Sequence, residues 1–474
     1  MSTNKLSNTN TTKDFNRLVY MAVLILGVLL LVLVALNLLS GPRLRNVSLD
    51  RAKVTSQTGQ RIILHANQPL AKVEPSSVRI EPAAAFSVAN SADTITINLK
   101  QRLQYNTAYM LSVKGVAAAS RSKHTTDFTY YFTTADPTLY YLKRVARFDN
   151  AGTASDYIMQ TTLHGTDTTT VFSAPKIIDY TLVGNHLVVS SSTGDGRGKL
   201  SAVDLATKKV AEIELPDNGI ATQLRSSSDG TSFGFAYSSP EAQATQSSDS
   251  YHNTLFISDI RPGHNVVPLL GIGSKPIRVF DWRFAPDGTS VVARLSDQSL
   301  LLIDGNFKHP PVPLGTFSSI SNFSADGTKL LVSNRDGFSM LNLIRHNLNP
   351  IPDGQIGSDL EALLEVSVLP ADSGYLRHYQ TTSTDRTTFS DYLRYDHAST
   401  KKVIYDTARQ RTDIQALELS PNGQLAILEA SPDGSVDYDD YPYASRPLSA
   451  RTQMVDMATG TIVKELNGIK AIVE

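Results

Sequence analysis

The sequence predicts an all-β protein behind one membrane-spanning helix: an N-terminal transmembrane helix, an Ig-like β-sandwich, then a β-propeller closed by its C-terminal strand. Three observations predict it. A turn-plus-strand unit recurs through the C-terminal two thirds of the 474 residues, an uncharged apolar run covers Leu18 to Leu39, and about ninety residues of short alternating strands lie between them.

Residues 1–16 are rich in Ser, Thr, Asn and Lys, have no apolar periodicity, and read as a disordered cytoplasmic tail. Residues 17–40 read as the transmembrane helix, because a helix rising about 1.5 Å per residue spans a bilayer core in about twenty apolar residues. A buried core helix would carry a polar stripe, and a cleaved signal peptide a shorter apolar stretch with small residues before the cut, so a retained signal anchor fits best. Lys5, Lys13 and Arg17 precede the run, while Arg43, Arg45, Arg51 and Lys53 follow it. Flanking charge therefore does not decide orientation.

Residues 45–135 change to short strands divided by Pro and Ser turns: Arg61–Leu64, Ser77–Ile80, Thr94–Leu99, Tyr109–Val113 and Phe128–Phe132 alternate as half-buried strands do. Six or seven such strands in ninety residues suit an Ig-like sandwich. With Asn67-Gln-Pro69 after its second strand, Leu103-Gln-Tyr105 leading into a later one and Phe132-Thr-Thr134 closing it, the segment resembles the bacterial Ig-like domain of S-layer and other surface proteins. Where that family has an Asp-x-x-Gly-Asn turn, this chain has Ala117 to Lys123. The resemblance implies a spacer or adhesion module without chemistry of its own, held outside the cytoplasm.

Residues 138–474 carry the repeat, clearest at Asp281 to Asp304. Trp282 and Phe284, then Val291 to Ala293, flank Ala285-Pro-Asp-Gly288, in which Pro presets φ, Asp caps the turn and Gly accepts positive φ. A third strand, Ser299 to Ile303, ends at Asp304, and a fourth follows around Leu314. The turn returns at Ser228-Asp-Gly-Thr231, Ala325-Asp-Gly-Thr328 and Pro421-Asn-Gly423, with weaker copies at Gly184-Asn185 and Ala371-Asp-Ser-Gly374. From Asn185 to Asn422 the six markers are spaced about 47 residues apart, within the propeller range. A second series, Asp204, Asp259, Asp304, Asp396 and Asp456, is expected to cap tight turns between later strands. Second hairpins outnumber first ones by one, which a closed ring explains if Gly468 to Glu474 supplies the missing innermost strand of the first blade. Seven blades fit best, with six or eight as alternatives, against two stacked sandwiches. The Pro-Asp-Gly turns make this region resemble the TolB-type and WD-like propellers of bacterial envelope proteins, a fold that hosts binding, scaffolding and catalysis alike.

Composition excludes more than it assigns. A net charge of −1 points away from nucleic acid, and the absence of cysteine removes disulfides, thiolate zinc sites and a cysteine nucleophile. The ten histidines follow no metal-ligand spacing, and neither a Gly-x-Ser-x-Gly elbow nor a phosphate-binding glycine loop occurs. No cofactor and no catalytic residue is therefore expected.

Binding candidates come from the long links between second and third strands, 190–199, 238–253, 381–391 and 431–451, which one face of a propeller collects. The 431–451 loop interleaves Asp433, Asp437, Asp439 and Asp440 with Tyr438, Tyr441 and Tyr443. Three readings remain open for it: a solvated acidic loop, a protein- or glycan-binding surface, or a Ca²⁺ site at Asp437, Asp439 and Asp440, although the spacing is not that of an EF-hand. Trp282 is expected to pack rather than stack on ligand. The chain thus reads as a membrane-anchored, extracytoplasmic propeller for protein or glycan binding; the alternative is a propeller hydrolase or lyase acting on wall glycan or peptide with acids near the central channel.

Overall fold

The computed structural model describes residues 10–39, 41–119, 121–145, 155–193, 196–240, 250–261, 266–358, 360–397, 399–441 and 445–474, with the side chains of 10–14, 31, 33–39 and 121–124 also left aside. The chain divides into two compact units. Among the described residues the first holds one α-helix, Asn10–Leu39, a short 3-10 turn at Pro75–Ser77, and seven strands. The helix begins inside the segment expected to be a polar tail, because nothing in Asn10 to Asn16 breaks a helix. Among the described residues no helix is long and apolar enough to cross a membrane. The run Leu18 to Leu39 belongs to this helix, but its side chains from 33 onward lie outside the described residues.

The seven strands form two antiparallel sheets. Leu44–Ser48, Arg61–Ala66, Thr94–Leu99 and Phe86–Ser91 make one; Val78–Glu81, Ala108–Ala118 and Arg121–Thr133 make the other. Alternation decides which face of each strand is buried: Ile62 and Leu64, Ile95 and Ile97, Leu111 and Val113 are within 1 % of full burial while their neighbours stay accessible.

The second unit is a β-propeller of seven sheets, together with two excursions of chain, 52–58 and 101–107. From the inside outward, blade 2 is Lys176–Val183, His186–Ser192, Gly198–Asp204 and Val210–Ile213. Blade 3 is Ile220–Ser226, Ser232–Ser238, Thr254–Asp259 and Val267–Pro268; blade 4 is Val279–Phe284, Val291–Leu295, Ser299–Ile303 and Val312–Thr316. Blade 5 is Ser319–Phe323, Lys329–Asn334, Gly337–Asn342 and Leu348–Pro350. Blade 6, Glu361–Val368, Gly374–Thr382, Phe389–His397 and Thr400–Asp406, carries a fifth strand, Gly357–Ser358, inside its first. Blade 7 is Thr412–Leu419, Leu425–Pro432, Arg451–Asp456 and Ile462–Leu466. Blade 1 takes three strands from residues 138–174 and its innermost from Ile469–Val473, which pairs antiparallel to Thr138–Lys143.

Each core layer lies between two neighbouring blades. Val188, Leu200, Phe233, Phe235 and Phe256 fill the space between blades 2 and 3; Leu139, Tyr141, Leu425, Ile427 and Val473 fill the closing one between blades 7 and 1. Trp282 is fully buried between blades 3 and 4, so its role is packing. A Cβ on Gly234 would come within 2.8 Å of its ring, which is why a glycine sits opposite it.

The repeated turns form as their chemistry dictates. The side-chain oxygens of Asp229, Asp287, Asp326 and Asn422 each accept the amide two residues on, at 2.9 to 3.1 Å, and Gly230, Gly288, Gly327 and Gly423 hold φ near +70°. Hydroxyls of Ser324 and Thr328 on the same carboxylate draw Asp326 down to about 2. Asp204, Asp259, Asp304 and Asp456 likewise accept amides of the following turn. Asp396 does not. It binds Arg377 at 2.6 Å and Arg394 at 2.8 Å, because the Arg377 side chain is buried within blade 6 and a buried cation requires a carboxylate partner.

Candidate functional site

A register shift interrupts the pairing of Ile469–Val473 in blade 1 and of the first long strand in each of the other six blades. There are two clusters of charge, one toward each end of the ring axis. The links between second and third strands mark the loop face, and the Asp-Gly turns mark the opposite, turn face.

At the loop face, the acidic-aromatic loop of blade 7 reaches across the seam where the ring closes. Asp439 Oδ2 meets Arg144 Nη1 at 2.6 Å, and its other oxygen accepts Ser445 Oγ at 3.0 Å and the Arg446 amide at 3.2 Å. Tyr441 is buried beneath the Arg144 guanidinium, 3.7 Å from ring centre, and its hydroxyl donates to Asp156, which also accepts the amides of Val145 and Ile177. Asp440 binds Lys176 of blade 2 at 2.7 Å. Behind them Arg446 Nε meets Glu429 at 2.6 Å, Glu429 accepts the Lys470 amide at 2.9 Å, and the Lys470 ammonium pairs with Asp179. Asp179 in turn accepts the amides of Tyr180 and of Leu224 in blade 3, each at 2.8 Å.

Blades 7, 1, 2 and 3 are thereby joined by one continuous network. The predicted loop residues accordingly divide. Asp439 and Tyr441 are inward and structural; Asp433, Asp437, Tyr438 and Asp440 are exposed; Tyr443 lies outside the described residues. Asp437, Asp439 and Asp440 do not converge on a cation, since cationic side chains already hold two of them. Among the described residues no group of three or more His, Asp and Glu is placed to hold a metal ion.

At the turn face, a second set follows from register. Counting two residues back from the first turn residue, Ser227, Ala285, Ser324, Leu369 or Ser420, places Arg225, Arg283, Asn322, Ser367 and Glu418 at one level of their strands. Glu365 and Asp281 stand one step deeper. Arg225 is spoken for: Nη2 binds Asp281 at 2.9 Å, Nη1 donates to the Trp282 carbonyl, and burial with the nearby Arg283 charge draws it down to about 10.

Arg283, Glu365 and Glu418 are different. They influence one another across the axis from blades 4, 6 and 7, yet among the described residues none forms an ion pair or side-chain hydrogen bond, and Arg283 Nε is buried without a partner. Loss of hydration raises both glutamates above the usual carboxylate range, with Arg283 opposing, and for Glu365 His378 as well. Glu418 nonetheless remains exposed, so there is room for solvent beside it. No single motif announced these three; the spacing from the turn markers locates Arg283 and Glu418 once the turns are aligned.

Exposed large apolar side chains are spread unevenly over the propeller. Phe280, Ile356, Leu360, Leu364, Phe389, Val436 and Tyr438 stand at the loop face, whereas the turn face shows Val210, Phe307, Ile344 and Leu348, and Val267, Ile272, Val403 and Val463 lie on outer strands and links. Four of the first group come from blade 6. Thr382 connects two of them, its amide bonding the Leu360 carbonyl at 2.9 Å and its strand position pairing with Phe389.

No protein-family model and no curated protein sequence matches this chain. Among solved structures it is similar to the β-propeller domain of Cps50 (Swd1) from Myceliophteria thermophila, at 12 % identity over 62 % of this chain and 90 % of that one, with a TM-score of 0.38. It is similar also to a candidate 6-phosphogluconolactonase from Bacteroides fragilis, at 10 % identity over 72 % of this chain and 98 % of the other, with a TM-score of 0.41.

Proposed function

We propose that this protein is a binding platform of the cell envelope: the helix carrying Leu18 to Leu39 anchors it in the membrane, the seven-stranded unit is an Ig-like spacer outside the cytoplasm, and the propeller presents its loop face to a protein partner. The observation that carries the binding role is the concentration of Phe280, Leu360, Leu364, Phe389, Val436 and Tyr438 on one face, since grouped apolar exposure marks interaction surfaces. An apolar, aromatic patch suits a protein better than a glycan. The anchor is supported by 22 successive residues without charge in one helix.

Site-specific photo-crosslinking in intact cells tests the platform. A photoreactive residue at Phe389 is expected to give a defined adduct that the same residue at Ile344, on the turn face, does not. Equal adducts from both positions, or none from either, overturn it. Protease added outside intact cells tests the location, with digestion of the propeller expected; protection until lysis overturns the extracytoplasmic placement.

One observation favours an enzyme instead. Glu365 and Glu418 are two carboxyls near the ring axis, half-buried and exposed respectively, both raised from 4.5 by partial loss of hydration, the kind of pair from which proton-transfer sites are made. Under that reading, a hydrolase or lyase activity on wall glycan or peptide disappears in E365Q/E418Q.

A further inference from the structure

Three charged side chains at the turn-face end of the axis are left without partners, and their arrangement is not a mere surplus of one sign. Arg283 comes from blade 4, Glu365 from blade 6 and Glu418 from blade 7, each on an innermost strand, and register sets Arg283 level with Glu418 and Glu365 one step deeper. Their neighbours are committed elsewhere. Arg225 holds Asp281 and the Trp282 carbonyl, Asn322 exchanges two hydrogen bonds with the Val368 backbone at 2.7 and 2.8 Å, and His378 faces Asp391 at 3.0 Å. Arg283 keeps a buried Nε without an acceptor, and Glu418 keeps open solvent beside it. A charged group left unsatisfied in a partly enclosed site costs free energy that a complementary ligand recovers.

We propose that this end of the axis binds a compact zwitterion of the α-amino acid type, its carboxylate on the Arg283 guanidinium and its ammonium between Glu365 and Glu418. A carboxylate matches the planar fork of an arginine, and an ammonium has three donors to share between two carboxylates. A simple anion would satisfy Arg283 but bring a third negative charge beside the two glutamates. A simple cation would leave the guanidinium without its acceptor. Each half of the zwitterion supplies what the other half's site lacks. The site uses none of the apolar residues of the loop face, so it does not depend on the protein-binding reading, and crosslinking at Phe389 tests that reading separately.

Binding follows the ionisation of the glutamates. Glu365 faces Arg283, His378 and Glu418; Glu418 faces Arg283, Arg225, Glu429 and the Tyr180 hydroxyl. An ammonium requires both as carboxylates, so affinity strengthens as pH rises through their elevated range, and protons are released on binding at pH values within it.

The experiment is a titration of the full chain in detergent micelles with glycine, L-alanine and L-lysine by calorimetry and ligand-observed NMR. Acetate and methylamine serve as single-charge controls. Saturable binding of at least one amino acid is expected, at least about tenfold tighter than either control and weakened at least tenfold in R283Q and, separately, in E365Q/E418Q, with thermal melts showing both variants folded. Acetate binding as tightly as the amino acids would make this an anion site on Arg283, and methylamine doing so a cation site on the glutamates; either overturns the proposal. So does the absence of saturable binding by all three amino acids, or variants that stay folded and bind them unchanged.

Discussion

The two ends of the propeller axis are built from the same materials to opposite effect. At the loop face, Arg144, Lys470, Asp179, Glu429, Asp439 and Asp156 each have a partner, and the partners lie on other blades. At the turn face, Arg283, Glu365 and Glu418 form no ion pair or side-chain hydrogen bond among the described residues, although their charges act on one another. Charge near the axis thus serves as stitching where every group is satisfied and as a recognition surface where it is not. The difference is one of satisfaction rather than of composition.

The comparison can be broken first at the seam. Deleting residues 468–474 removes the innermost strand of blade 1, with Ile469, Ala471 and Val473 all buried, and is expected to abolish the cooperative unfolding transition of the propeller; a retained sharp transition would show that the ring does not need this strand. Next comes Asp156→Ala, which strands the amides of Val145 and Ile177 and the Tyr441 hydroxyl and should cost about 3 kcal/mol by denaturant unfolding. A cost below about 1 kcal/mol would mean that the loop does not fasten the seam.

The turn face should respond in the reverse direction. E365Q/E418Q removes two carboxyls that are raised from 4.5 in the folded chain. A raised folded-state pKa gives stability that is fully present below the unfolded value and is lost as pH climbs through the folded one, so the wild type loses ground to the variant above about pH 4.5. At neutral pH the variant is expected to melt roughly 1–3 °C higher, with the gap closing in acid. A lower melting temperature would mean that the glutamates are satisfied after all. Smallest is the outer half of the blade 7 loop: V436D/Y438A should shift stability by no more than about 0.5 kcal/mol, since both side chains are exposed. A larger loss would extend the seam to the loop's outer edge.

Sequence made the turns readable because their chemistry is local: an Asp or Asn caps an amide two residues away, and the glycine beside it accepts positive φ. Seven sheets and a closing strand followed from counting such turns. The contacts of Asp439 and Tyr441 were not legible, because their partners, Arg144 and Asp156, stand 295 and 285 residues away and no local pattern encodes that approach. The pairing of Asp396 with Arg377 was hidden for a similar reason: nothing near Asp396 in sequence says that Arg377 is buried against it. The trio at the turn face lay between these extremes, hidden one residue at a time and visible only when the blades are superimposed by their turns.

The pairing of Ile469–Val473 with Thr138–Lys143 also sets an order of events. Blades 2 to 7 each draw on contiguous sequence and are free to form as the chain is made. Blade 1 has to keep an unpaired inner edge until residues far downstream arrive; Tyr140 and Glu474, which meet there, are separated by 334 residues. Loop-closure entropy rises only slowly with length, but an exposed strand edge is an invitation to other chains throughout the wait. Ring closure is therefore expected to be the late step in maturation, and the edge of Thr138–Lys143 the place where a chaperone or a second nascent chain would act.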